Sequence, residues 1–142
     1  MRHKTAEIYW NYPKLVDRII EDRSYDEYFG IYSIYRRFSN AETLLYIGKA
    51  DSCSIRSRLK DHKKKWLSDY RGIKIVRIGD ILKPTPLFSV HIEDIESGLI
   101  YELQPIANIS KRNNYFCTNF HDILNYGYRG QIPKTISMYW QE

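Results

Sequence analysis

Hydrophobic positions along this chain change period several times, and each change marks an element. Pro13, after Asn11 or Tyr12, suits the first turn of a helix, where its missing N–H costs nothing. Leu15, Val16, Ile19 and Ile20 then form one apolar stripe, with Lys14, Asp17, Arg18 and Glu21 on the watered side. Tyr28 to Tyr35 is rich in aromatic and β-branched residues and reads as a strand. Ser39-Asn40 marks the turn, within a loop expected to exceed two residues, and Leu44 to Gly48 returns as the second strand of a hairpin. Asp51 or Ser52 can cap a helix running to about Trp66, with Ile55, Leu59 and Trp66 inward. Ile73 to Ile78 is the third expected strand. Pro84 and Pro86 precede the longest helix, about Leu87 to Leu103, which Pro105 ends. Along it Phe88, Ile92, Ile95, Leu99 and Leu103 recur at helical spacing. The tail, with Gly127, Gly130 and Pro133, reads as irregular apart from a short strand near Tyr115-Phe116-Cys117. The order α-β-β-α-β-α plus a tail predicts an α+β fold: a small, mostly antiparallel three-stranded sheet flanked by helices.

Composition narrows the class. The 142 residues suit a single domain, 1–142, without repeats or linkers. Twenty-two Lys and Arg against 17 Asp and Glu leave +5, which is compatible with a polyanionic partner. The 13 tyrosines supply core area with a polar tip, and faces on which bases can stack. Cys53 and Cys117 are too few for a disulfide framework, and Met1-Arg2-His3-Lys4 leads into no apolar signal core. No apolar run approaches the roughly 20 residues that span a bilayer. A cytoplasmic protein with no membrane partner is the expectation.

Several residues could carry chemistry, each with a plainer alternative. Gly30 and Tyr32 share one strand face, as do Tyr46 and Gly48, so an antiparallel pairing can bring the two phenols together. Chance pairing is the plain alternative in so tyrosine-rich a chain. Arg58 and His62 lie four apart on one helix face, about 6 Å along the axis, where a guanidinium can hold a phosphate through two hydrogen bonds. A solvated basic face is the alternative, since Lys60, Lys63, Lys64 and Lys65 follow, and such a face also suits a DNA backbone. Gly48-Lys49 is not a phosphate-binding loop, because Thr43 and Ala50 stand where that motif needs Gly and Ser or Thr. Cys117 and His121 have no second ligand pair at zinc spacing. Glu96 flanks the apolar stripe of the last helix, at the rim of the core, where a carboxylate suits Mg²⁺ or an ordinary ion pair.

Gly30-Ile31-Tyr32 and Tyr46-Ile47-Gly48, followed in order by Lys49, Arg58, His62, Glu96 and Asn108, resemble the GIY-YIG nuclease family over about residues 29–108. The resemblance implies a nuclease core at 28–110, an N-terminal helical extension at 1–27 and a C-terminal extension at 111–142. It implies a restriction-type or phage-type endonuclease that hydrolyses double-stranded DNA with Mg²⁺, for which Mn²⁺ can substitute. Tyr32, Tyr46, Lys49, Arg58, His62, Glu96 and Asn108 are the implied catalytic set. In it Glu96 holds the metal, Arg58 steadies charge on the phosphate, Tyr32 is the chosen general base and Asn108 buttresses the site. Arg58 lies ten positions beyond Gly48, a longer turn than the family's, which leaves Arg56 as an alternative. Either tyrosine could take the proton. Lys63, Lys64, Lys65, Lys111, Arg112, Asn113 and Asn114 are the expected DNA contacts. So short a nuclease reads its target through its extensions, acts as a homodimer or higher homo-oligomer, or cuts with little specificity. The other readings are a silent DNA- or protein-binding module and a nuclease subunit of a repair complex.

Overall fold

In a computed structural model, which describes residues 4–113 and 119–138, one curled half-barrel sheet carries the fold. Its strands are β1 (Thr5–Trp10), β2 (Lys14–Leu15), β3 (Gly30–Phe38), β4 (Ala41–Ala50), β5 (Ile73–Lys83), β6 (Asp122–Gly127) and β7 (Thr135–Ser137). The order is β4-β3-β5-β1-β6-β7, with β2 also on β5; β1 and β6 run parallel and every other pairing is antiparallel. The helices are α1 (Val16–Glu21), α2 (Ile55–Lys65) and α3 (Ser89–Leu103), with short 3₁₀ turns at Arg23–Glu27 and Leu67–Asp69.

The expected three-stranded sheet is therefore wrong. Strands β3, β4 and β5 do form its antiparallel heart, but β5 is 11 residues long and has two edges to satisfy. β3 takes one edge from Ile73 to Gly79. On the other edge β2 pairs with Ile75 and Val76, and β1 with Gly79 to Lys83. β6 and β7 then continue the sheet beyond β1. The segments flanking the motif thus build the same sheet as the motif itself. The tail expected to be irregular supplies β6 and β7, while the strand expected at Tyr115-Phe116-Cys117 lies outside the described residues.

Three local expectations also change. The hairpin turn is only Ser39-Asn40, both left-handed (φ 53° and 63°), with Phe38 opposite Ala41. Two positive-φ residues in a two-residue turn match the right-handed strand twist. Ser54, and neither Asp51 nor Ser52, caps α2: its hydroxyl accepts from the Ser57 N–H at 3.1 Å. The first helix is six residues, because Lys14 and Leu15 are drawn into pairing with β5.

Apolar side chains pack on both faces of the sheet. α1 and α2 cover one face, burying Val16, Ile19, Ile55 and Leu59 against Ile34, Leu45 and Val76. α3 covers the other, burying Ile95, Leu99 and Ile100 with Ile8, Trp10 and Ile31. Trp10 donates its indole N–H to Oδ1 of fully buried Asn125 at 2.9 Å, tying β1 to β6. α2 therefore crosses the β3–β4 hairpin on one face while α3 flanks β4, the sheet's edge strand, from the other.

Candidate active site

The hairpin register sets Tyr32 opposite Gly48 and Ile34 opposite Tyr46, so the two tyrosines are diagonal neighbours on the α2 face. Their rings lie 6.3 Å apart, inclined at 30°. Gly48 makes this possible. A Cβ there would lie 2.5 Å from both Cζ and Oη of Tyr32 and 2.8 Å from Cε2 of Tyr46. The glycine is needed for the approach of two phenols rather than for a turn.

α2 brings its cations and imidazole onto the same spot. Nε2 of buried His62 lies 2.8 Å from the Tyr32 hydroxyl, and Nδ1 accepts from the Trp66 indole N–H at 2.8 Å. An indole N–H can only donate, so Nδ1 is the unprotonated nitrogen and Nε2–H donates to the Tyr32 oxygen. Burial, with Arg58 adding repulsion, pulls the His62 pKa down to about 4, so the ring stays neutral at ordinary pH. Burial raises the pKa of Tyr32 and of Tyr46, while the Arg58 guanidinium opposes the rise on both phenols. Arg56 faces elsewhere: its Nε donates to the Ile20 carbonyl at 2.8 Å and Nη1 pairs with Asp26 at 3.1 Å. Of the two candidates, Arg58 is the guanidinium at the phenols.

Across the edge strand lies a set of carboxylates and ammonium groups. Lys49, on the opposite face of β4 from Tyr46 and Gly48, pairs with Asp51 and Glu93, each at 3.2 Å. Burial works against its charge, but Glu93 and Asp51 outweigh it and raise its pKa. Lys111 bridges Glu93 and Glu96, with Nζ 2.6 Å from Oε1 of Glu96. Glu96 is 7% exposed; burial raises its pKa and Lys111 holds the rise back. The Glu96 charge adds to the rise at both phenols, so the two clusters lie within electrostatic reach of each other. Among the described residues no three His, Cys, Asp or Glu side chains gather as a metal-binding group. Mg²⁺ needs few protein ligands and keeps most of its waters, so one buried carboxylate can serve, provided that Lys111 gives up Glu96 to the ion.

Asn108, 5% exposed, acts on backbone. Its Oδ1 accepts from Ile47 N–H at 2.9 Å and its Nδ2 donates to Ile47 C=O at 3.0 Å, while Ala107 N–H donates to Leu45 C=O at 2.7 Å. The segment after α3 thus completes the open edge of β4 and fixes the middle of the Tyr46-Ile47-Gly48 tripeptide.

The expected DNA contacts divide. Lys63 pairs with Asp17 at 2.7 Å and Lys65 with Asp61 at 3.2 Å; Lys64 is exposed with no ion-pair partner among the described residues. A surface groove of about 710 Å³ runs along α2, where Arg56, Arg58, Lys60, Lys63 and Lys64 outnumber Asp26 and Asp61. Lys111 turns inward to the carboxylates. Arg112 folds back, its Nη1 donating to the carbonyls of Pro105, Ile106 and Asn108. Asn113 is exposed, and Asn114 lies outside the described residues. Sequence reasoning missed Trp66 as the partner of His62, although its position four residues on places it on the same helix face. It also missed Glu93, which pairs with Lys49, and Tyr70, whose ring stands edge-on to Trp66 at 5.9 Å.

The chain matches no family model, no curated protein and no solved structure. Among the described residues no helix is long and apolar enough to cross a membrane.

Proposed function

We propose that this protein is a cytoplasmic, divalent-cation-dependent DNA endonuclease of the GIY-YIG kind, of restriction or phage type. The observation that carries the reading is the convergence of Tyr32, Tyr46, Arg58 and His62 on one point, with Gly48 making room for both phenols. Chance pairing of strand tyrosines gives no reason for a guanidinium and a neutral imidazole to meet at the same oxygen. The basic groove that shares Arg58 supports a polyanionic substrate.

Arg58 binds the scissile phosphate and offsets the charge that grows on it, the contribution that usually dominates such catalysis. A water attacks phosphorus in line, the P–O3′ bond breaks, and the products carry a 5′-phosphate and a 3′-hydroxyl. The attacking water gives its proton to the phenolate of Tyr46, whose own proton has gone to solvent. Tyr46 is assigned this role because it lines an open groove beside Arg58, whereas Tyr32, the base expected from the sequence, is wholly buried and burial holds its pKa well above the ordinary phenol value. Tyr32 positions the site from beneath, through its hydrogen bond with Nε2 of His62. Glu96 would hold Mg²⁺ or Mn²⁺, and such an ion supplies Lewis acidity and counter-charge at the leaving oxygen. Asn108 keeps the Tyr46 backbone in register. Lys49 and Lys111 hold Glu93 and Glu96 ionised.

A second reading is a module that holds DNA without cutting. The ammonium of Lys111 on Glu96 favours it, because the carboxylate is already neutralised from within. Incubation of the protein with supercoiled plasmid in Mg²⁺, against EDTA, separates the two. Nicked or linear product only with the metal is the outcome expected of the nuclease, and intact plasmid that is nonetheless retarded on a gel supports the module.

A further inference from the structure

Beside the phenol cluster lies a second groove, of about 520 Å³, with Tyr46, His62 and Arg58 at its inner end. One wall is aromatic. Trp66 is held by its bond to His62, lies 5.3 Å from Tyr46, and meets Tyr70 edge-on. The facing wall is the segment after α3, which leaves Ile106 half exposed and Ile109 92% exposed. The guanidinium of Arg36 lies 6.0 Å over the outer ring, Tyr70.

We infer that Trp66 and Tyr70 form a stacking subsite for one unpaired DNA base, on the strand whose phosphate reaches Arg58. The inference rests on the nuclease reading for its choice of DNA. A groove this size admits a nucleotide and cannot admit a duplex. Bases inside a duplex have both faces covered by their neighbours and would offer an aromatic wall nothing to bind. An unstacked base offers a π-face, which aromatic side chains hold regardless of sequence. The exposed isoleucines give its other face an apolar cover, and Arg58, shared with the basic groove, keeps its phosphate beside the reacting groups. The preferred substrate therefore carries at least one unpaired nucleotide at the cut, with paired DNA alongside α2.

The test compares a DNA duplex bearing one bulged 2-aminopurine with the same duplex fully paired, both in EDTA so that nothing is cut. The bulged duplex should bind tighter, by about fivefold to a hundredfold for one stacked base, with its fluorescence quenched. Tyr70→Ala should erase much of that preference and leave the paired duplex unaffected, and Tyr70→Phe, which keeps the ring, should retain it. Equal binding of the two duplexes, or a preference unchanged in Tyr70→Ala, overturns the subsite. Tighter binding of the same bulge in an RNA duplex overturns the assignment to DNA. Plasmid cleavage without any bulge preference removes the subsite and leaves the nuclease; a Tyr70-dependent bulge preference without cleavage removes the nuclease and leaves the subsite.

Discussion

At the scale of single residues, two arginines on one helix have different work, and their substitution should tell them apart. Arg58 faces the phenols, whereas Arg56 ties α2 to the Ile20 carbonyl and to Asp26. Arg58→Ala should lower plasmid cleavage by about 10²-fold or more with little loss of stability, because one preorganised charge-stabilising donor disappears. Arg56→Ala should cost roughly 1 kcal/mol of stability, the usual worth of such bonds, and change cleavage little. The reverse pattern, measured by single-turnover cleavage and urea unfolding, would put the catalytic guanidinium at position 56. His62 gives a second test at this scale. Its folded pKa of about 4 lies below the ordinary 6.5, so between those values the unfolded chain binds the extra proton. Stability from this group is complete above pH 6.5 and falls as the pH drops towards 4, by up to roughly 3 kcal/mol. In urea titrations at pH 4.5 and pH 7, His62→Asn should show a smaller drop than the parent. Equal drops would mean that His62 is already charged in the fold.

At the scale of elements, the nuclease reading gives α2 both a reacting face and a binding face, and salt can separate them. Replacing Lys63, Lys64 and Lys65 by alanine should flatten the log–log salt dependence of duplex binding by up to about 3 units, about 0.9 per phosphate contact. Lys63 and Lys65 must first leave Asp17 and Asp61, so Lys64 is the one ready to bind without rearrangement. An unchanged slope would send the DNA along another surface. The elements of the motif were legible because each has a clean period: the β3–β4 hairpin, α2 and α3 all stand within a few residues of where the sequence pattern puts them. The remaining strands were harder for physical reasons. In β1 the inward residues Ala6, Ile8 and Trp10 do alternate, but six residues ahead of a proline look like the run-up to a helix. In β6 the inward positions are Ile123 and Asn125, and a fully buried amide breaks the apolar alternation that marks a strand. Ser39-Asn40 marked the turn, and Asn tolerates the left-handed region, but with Ser at the first position and no glycine the residue types did not announce that both are left-handed.

At the scale of the molecule, the meeting of side chains was more legible than the architecture. The ordered residues 32, 46, 58 and 62 reach one point, because i, i+2 on a strand and i, i+4 on a helix fix faces without knowledge of the whole sheet. What spacing cannot give is which cation sits on which carboxylate. Lys111 reaches Glu96, fifteen residues back, from a turn in which Arg112 donates to the carbonyls that follow α3, and neither contact has a signature in the residue pattern. That internal ion pair divides a cutting enzyme from a holding module. Glu96→Gln keeps the shape and an acceptor for Lys111 but removes the charge that a hard cation requires. The most direct measurement is the plasmid cleavage rate of Glu96→Gln in Mg²⁺, read beside its duplex affinity in EDTA. The account predicts that cleavage collapses by orders of magnitude while affinity holds or tightens, because a carboxylate facing phosphate repels it. Cleavage at the parental rate would contradict it, and would remove Glu96 from the reaction.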